Sequence, residues 1–134
     1  MQTGQAMLDA FSSHDLERFD SAFAADLCVV DHRPLGWAQV DLDGFREIFL
    51  AVYEVSADAE WRIVEQIDGT PTVACAVIEL HGTRDGGRFV NRFIGLIESR
   101  GDVVARLETF AIEDRPAADA RFAELASAAD GRPR

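Results

Sequence analysis

Asp31 closes the apolar run Leu27-Cys28-Val29-Val30 and is followed at once by His32, Arg33 and the loop residues Pro34, Leu35, Gly36 and Trp37. A carboxylate at the end of an apolar strand, beside a loop, stands at the mouth of whatever that strand encloses. Partial desolvation there raises its pKa and makes it a usable general base. The bland alternatives are an ion pair with Arg33 or Arg92, or a cap on a loop amide. His81 carries a ring whose ordinary pKa of about 6.5 suits proton shuttling. A lone histidine on an apolar face is more often a packed, hydrogen-bonded residue. Glu79 and Arg92 read as cross-strand neighbours that orient a ligand or satisfy one another. Trp37 is placed to lid a pocket or to pack on a helix, and Tyr53 offers a hydroxyl to a ligand or a ring to the core.

Other chemistries lack their motifs. No GxSxG, P-loop, GxGxxG or HExxH pattern occurs. Three dispersed histidines and two cysteines without CxxC spacing do not make a metal site, so neither metal nor cofactor is expected. Cys28 and Cys75 read as buried thiols of a reducing, cytoplasmic setting.

The elements that must position these residues divide the chain in two. Met7, Leu8 and Phe11 give one apolar helical turn, and Leu16, Phe19, Ala22 and Phe23 repeat at helical spacing after the Ser12-Ser13-His14-Asp15 punctuation. A short strand ends at Asp31. Asp43 reads as the N-cap of a third helix with Phe45, Ile48, Phe49 and Val52 in one stripe. Four β-rich segments follow, 61–67, 72–83, 88–98 and 103–112, separated by Asp68-Gly69, Asp85-Gly86-Gly87 and Arg100-Gly101. Such short connections imply an antiparallel meander. Pro116 opens a closing helix over 116–129, and residues 130–134 read as a frayed tail. The result is one α+β domain, 1–129, with helices packed on a sheet.

Pairing the meander through those turns sets Val64 opposite Cys75, Arg62 opposite Val77, Glu79 opposite Arg92, His81 opposite Val90, Arg92 opposite Thr109 and Ile94 opposite Leu107. Alternation then puts Arg62, Val64, Val77, Glu79, His81, Arg92, Ile94, Leu107 and Thr109 on one mixed face. Trp61, Ile63, Ile78, Leu80, Phe93, Ile97 and Phe110 share a more apolar face. The expectation is that the helices cover the mixed face and form a pocket there. The apolar face is then buried in a homodimer, because its extent exceeds what a soluble monomer exposes.

The net charge of −11, from 24 acidic residues against 13 arginines and no lysine, repels phosphate backbones and anionic lipid. Nucleic acid and membrane surfaces are therefore not expected partners. No apolar run approaches a bilayer span, and the first residues lack the basic-then-apolar pattern of a secretory signal.

The element order, with FAADLCVVDHRPLGWAQVDLDGFREIFLAV at 23–52, resembles the nuclear transport factor 2-like superfamily, and within it the SnoaL-like (polyketide-cyclase-like) branch. The carriers are an FxxD phrase, a short strand ending in an acidic residue, a glycine-containing loop and a helix opened by Asp43-Gly44. The resemblance implies a cone-shaped, curved antiparallel sheet wrapped around N-terminal helices, with a pocket at its open end and frequent dimerisation through the sheet. Some members resemble ketosteroid isomerase, and Asp31 matches their proton-moving aspartate. The positions of that enzyme's helical tyrosine and second aspartate fall near Met7 and Ile94. Asp31 and Arg92 partly echo the Asp and Arg pattern of epoxide hydrolase relatives. The stretch VDHRPLGW is also similar to accessory domains of actinobacterial proteins, which implies binding without catalysis.

Together these readings describe a mostly apolar pocket for a small molecule with a polar handle. Candidate catalytic residues are Asp31 as general base, Arg92 to stabilise negative charge and His81 as auxiliary donor, for cofactor-free isomerisation, cyclisation or dehydration. Candidate ligand contacts are Trp37, Tyr53, Val64, Val77, Glu79, Ile94, Leu107 and Thr109. The alternative is a non-catalytic ligand-sensing or dimerisation domain.

Overall fold

The computed structural model describes residues 2–34 and 38–129. Helices α1 (Gln2–Ser13) and α2 (Leu16–Ser21) lead into β1 (Phe23–Asp31), a short β2 (Ala38–Val40) and α3 (Leu42–Val55). Strands β3 (Glu60–Gly69), β4 (Val73–Arg84), β5 (Gly87–Arg100) and β6 (Val103–Phe110) follow, then a 3-10 turn (Ile112–Asp114) and α4 (Arg115–Ala129).

Local chemistry sets the boundaries. The Asp15 carboxylate accepts from the amides of Glu17 and Arg18 and caps α2. Asp41 caps α3 by accepting from Gly44 N at 2.9 Å. The cap is thus two residues earlier than expected, and Asp43 lies in the helix's first turn, where a negative charge suits the dipole. Asp85 and Gly86 both have positive φ, as the two-residue hairpin turn between β4 and β5 requires.

The strands form one curved, unclosed sheet in the order β2-β1-β6-β5-β4-β3. Every neighbouring pair is antiparallel except β1 with β6, which run parallel, a pairing that the long connection between them allows. The β4–β5 register is as the turn predicts, with Glu79 opposite Arg92 and His81 opposite Val90.

The other two registers slip. The β3–β4 turn closes later, through a Thr70 N to Val73 O bond of 2.7 Å, so Arg62 pairs with Glu79 and not with Val77. Arg100 pairs with Val103 across Gly101-Asp102, and a bulge follows between Glu98 and Ser99. Ile94 is consequently opposite Phe110, three residues from the expected Leu107. An odd slip turns side chains to the other face, which moves Leu107 and Thr109 away from Arg92 and Ile94.

The helices α1, α2 and α3 cover the apolar face, the reverse of the arrangement expected. Phe11, Phe19, Phe45 and Phe49 pack with Phe23, Leu27, Trp61, Ile78, Phe93, Ile97 and Leu107 into the main core. The physical reason is desolvation: aromatic helices laid on the other face would bury the charges of Glu79, Arg62 and Arg92. The apolar face is therefore covered within the chain, and the reason given for a subunit interface there falls away. The outer face is partly covered by α4, whose Ala118, Phe122 and Leu125 pack on Val73, Cys75, Val77, Ile94, Leu96 and Phe110. Gly95 shows how closely the inner layer is packed. A Cβ there would lie 2.5 Å from Cδ1 of Ile78.

Candidate active site

Between α1, α3 and the inner sheet face lies a cavity of about 210 Å³. Helical spacing puts Met7, Leu8 and Phe11 of α1 on one wall and Phe45, Ile48, Phe49 and Val52 of α3 on another. Strand alternation supplies the floor: Trp61, Ile78, Leu80, Phe93 and Leu107. Among the described lining residues, Arg33, Asn91 and Thr109 bring polar side chains and make up the cavity's polar edge.

Asp31 stands directly behind that edge, only 6% exposed. Its Oδ1 accepts from Thr109 Oγ1 at 2.8 Å, from Arg33 Nε at 2.9 Å and from the Arg33 amide at 3.0 Å. Its Oδ2 accepts from Arg33 Nη2 at 3.1 Å. The bidentate clamp is local: β1 ends at Asp31, and the bend after it turns Arg33 back so that both its amide and its guanidinium donate to the Asp31 carboxylate. The guanidinium of Arg33 also lies over the Phe93 ring, 4.8 Å from its centroid.

Burial by itself raises the Asp31 pKa, but the hydrogen bonds from Arg33 and Thr109 outweigh it and hold the carboxyl below its ordinary range. The expected upward shift is therefore reversed: a buried carboxylate beside a guanidinium and a hydroxyl stays ionised. The pairing with Arg33 is one of the alternatives the sequence offered.

Of the candidate ligand contacts, Leu107 and Thr109 line the cavity. Arg92, Val64, Val77 and Ile94 line a separate groove on the outer face with Glu65, Ile112 and Arg115. Glu79, 3% exposed, also belongs to the outer face, where Arg62 and Arg92 each donate to it at 2.7 Å. Hydrogen bonding from Arg92 and Arg62 keeps its carboxyl ionised against a smaller effect of burial. His81 lies on the same outer face, 3.6 Å from Glu60. Glu79, His81 and Arg92 thus do not converge with Asp31, because the helices took the opposite face. The Tyr53 hydroxyl donates to Phe11 O at 2.8 Å, and burial pushes its pKa up to about 12. Tyr53 therefore ties α3 to α1. Trp37 lies outside the described residues.

The sequence reading missed Asn91 as a cavity residue and treated Arg33 only as a partner for Asp31. For Arg33 the signal was present, as spacing by two from Asp31. Asn91 is one place from Arg92, so choosing the wrong face excluded it. A third buried carboxylate went unnoticed altogether. Glu108, 1% exposed, accepts from His32 at 2.7 Å, Arg106 at 3.0 Å and Arg121 at 2.9 Å. Burial opposes its ionisation, and hydrogen bonds from Arg121, His32 and Arg106 overcome that effect. This cluster ties α4 to the end of β1 on the face opposite Asp31.

Among the described residues, no group of three or more His, Cys, Asp or Glu side chains is placed to hold a metal ion. No described helix is long and apolar enough to cross a membrane.

A family model described as the SnoaL-like domain matches residues 5–107. A search of curated proteins gives no match. Among solved structures, the chain is similar to IdmH, a candidate polyketide cyclase from Streptomyces antibioticus. The two share 18% identity over 84% of this chain and 91% of that one, with a TM-score of 0.70. It is also similar to AusH from Aspergillus nidulans, with 16% identity over 84% and 90% of the two chains and a TM-score of 0.71. A hypothetical protein from Catenulispora acidiphila with a ketosteroid isomerase-like fold, in complex with trimethylamine, shares 16% identity over 82% and 85%, with a TM-score of 0.66. These identities speak to the fold.

Proposed function

We propose a function that proceeds from one premise: the chain belongs to the SnoaL-like domain family. It binds a small, mainly apolar molecule in the cavity between α1, α3 and the sheet. It moves a proton on that molecule in cofactor-free isomerase- or cyclase-type chemistry, with Asp31 as the accepting base. The observation that carries this reading is a buried, ionised carboxylate bonded to Arg33 and Thr109 behind the polar edge that the described residues give an apolar cavity. The likeness to a candidate polyketide cyclase supports the same class of reaction.

The electrostatics limit the substrate. A carboxylate whose pKa is held low is a weak base, so the proton must come from an acidic carbon, such as one flanked by two carbonyls or placed α to a conjugated ketone. Thr109 fixes one carboxylate oxygen and Arg33 bridges both, which orients the base before the substrate arrives.

A compact ketone with an acidic C–H, 2-tetralone, tests this without knowledge of the natural substrate. In deuterium oxide the protein should accelerate exchange at its acidic methylene, and Asp31→Asn should lower that acceleration about 100-fold or more. Equal exchange by the wild type and the variant, with both folded by circular dichroism, removes Asp31 as the base. A second reading, ligand binding without turnover, is favoured by the four hydrogen bonds already made to Asp31. It requires saturable 2-tetralone binding with no exchange above buffer.

A further inference from the structure

Among the described residues, the cavity has five aromatic side chains in its walls, Phe11, Phe45, Phe49, Trp61 and Phe93, and one cation, Arg33. Its volume of about 210 Å³ is below the roughly 300–1,000 Å³ of ordinary ligand pockets, so it fits a compact molecule. Phe49 and Trp61 are stacked with centroids 4.9 Å apart and planes 25° from parallel. Ring faces of this kind suit flat, conjugated ligands. Arg33 spans the polar edge between this aromatic interior and Asp31, with its guanidinium over the Phe93 ring.

A guanidinium recognises planar oxyanions through paired N–H donors, and Asp31 already occupies it in that manner. Proton transfer changes this balance of charge. When a C–H proton passes to Asp31, the C–H bond breaks and an O–H bond forms on the carboxyl. The electron pair of the broken bond delocalises onto the carbonyl oxygen of the ligand. One negative charge leaves Asp31 and appears on the ligand, while the positive charge of Arg33 stays at the same edge.

We infer that Arg33 is the group that receives the ligand's anionic oxygen, with Asp31 acting as a built-in competitor for the same guanidinium, and that the ligand is a compact conjugated molecule bearing a carboxylate or enolate oxygen. This rests on the proposed use of the cavity and assigns to Arg33 the charge-stabilising role that the sequence suggested for Arg92. Arg92 lies on the other side of the sheet, where it bonds Glu79.

Two matched probes separate the parts of this inference: 2-naphthoate, a flat anion, and 2-naphthamide, its neutral counterpart. Binding is read by probe fluorescence for the wild type, Asp31→Asn, Arg33→Met and the double variant, each checked for folding by circular dichroism. Asp31→Asn should tighten 2-naphthoate at least ten-fold, and the double variant should lose that gain. 2-Naphthamide should bind all four within about three-fold. If Asp31→Asn does not fold, the wild type against Arg33→Met decides: the ratio of naphthoate to naphthamide affinity must fall at least five-fold. Naphthamide binding with no preference tied to Arg33 overturns the inference and leaves the cavity reading standing. Failure of both probes to bind the wild type overturns both.

Discussion

Phe11→Ala is expected to lower the stability of the domain by about 3–5 kcal/mol, the range for removing a buried phenylalanine. Phe11 is 3% exposed, and its ring lies within 6 Å of the centroids of Phe19, Phe23, Phe45, Phe49 and Trp61, at 5.7, 5.7, 5.9, 4.3 and 5.7 Å. Those partners come from α2, β1, α3 and β3, so collapse around the vacancy would require several elements to move together. The site should therefore relax poorly, which places the loss toward the upper part of the range. Domains of this size have about 5–15 kcal/mol in total, so the variant should be partly unfolded in moderate urea where the wild type is native. The measurement is the urea midpoint at an unchanged slope, with Val90→Thr, at a position 60% exposed, as the near-neutral control. A loss under about 1 kcal/mol would mean that the aromatic cluster is not the centre of the core. Phe11 also walls the cavity, so the folded fraction should accept a bulkier neutral probe than the wild type does.

The sequence made the elements legible where the signal was local. Helical stripes, the Asp85-Gly86 turn and the meander follow from spacing and turn residues, and the structure has them. Phe23 continues the helical spacing of Leu16 and Phe19, yet it begins β1 as the chain leaves α2 through Ala22. The parallel pairing of β1 with β6 and the three-residue β2 have no local signature. Registers failed where the turns closed later than their glycines suggested and where bulges intervened, since a bulge adds one residue without changing the alternation that precedes it.

The choice of face was the larger loss, and it decided the site. Alternation correctly grouped Glu79, His81 and Arg92, but grouping does not say which side faces the helices. The decisive quantity was available in the helices themselves. Phe11, Phe19, Phe45 and Phe49 have no polar atoms to satisfy Arg62, Glu79 and Arg92, so burying those charges beneath them would carry a desolvation cost with no compensating bonds. Asp31 was legible because its place at a strand end does not depend on that choice. The low pKa of its carboxyl was not, since it depends first on the hydrogen bonds from Arg33 in the bend after β1, and then on Thr109, brought alongside through the parallel Asp31–Thr109 pairing and turned inward by the odd β5–β6 slip.

The double variant Arg106→Met/Arg121→Met should lose about 3 kcal/mol at pH 7, near the lower end for stripping partners from a buried ion, because His32 still contacts Glu108. The pH dependence gives the sharper test. In the wild type the folded-state pKa of Glu108 lies below the ordinary carboxylate value, so its contribution is present above the unfolded value of about 4.3 and is lost as pH falls through the folded one. Burial is the largest single influence on Glu108, and the two arginines supply most of the opposition to it. With both gone, the folded pKa should rise above the unfolded value. The sign then reverses: the group is favourable to folding below the unfolded pKa and becomes a penalty as pH rises through the folded one. The stability difference from wild type should therefore shrink between pH 7 and pH 4, and adding Glu108→Gln to the pair should restore much of the loss at pH 7. Urea unfolding of the three proteins at both pH values supplies the comparison. A gap independent of pH, or one untouched by the glutamine, would mean that the arginines act through packing against α4 and not through the charge on Glu108.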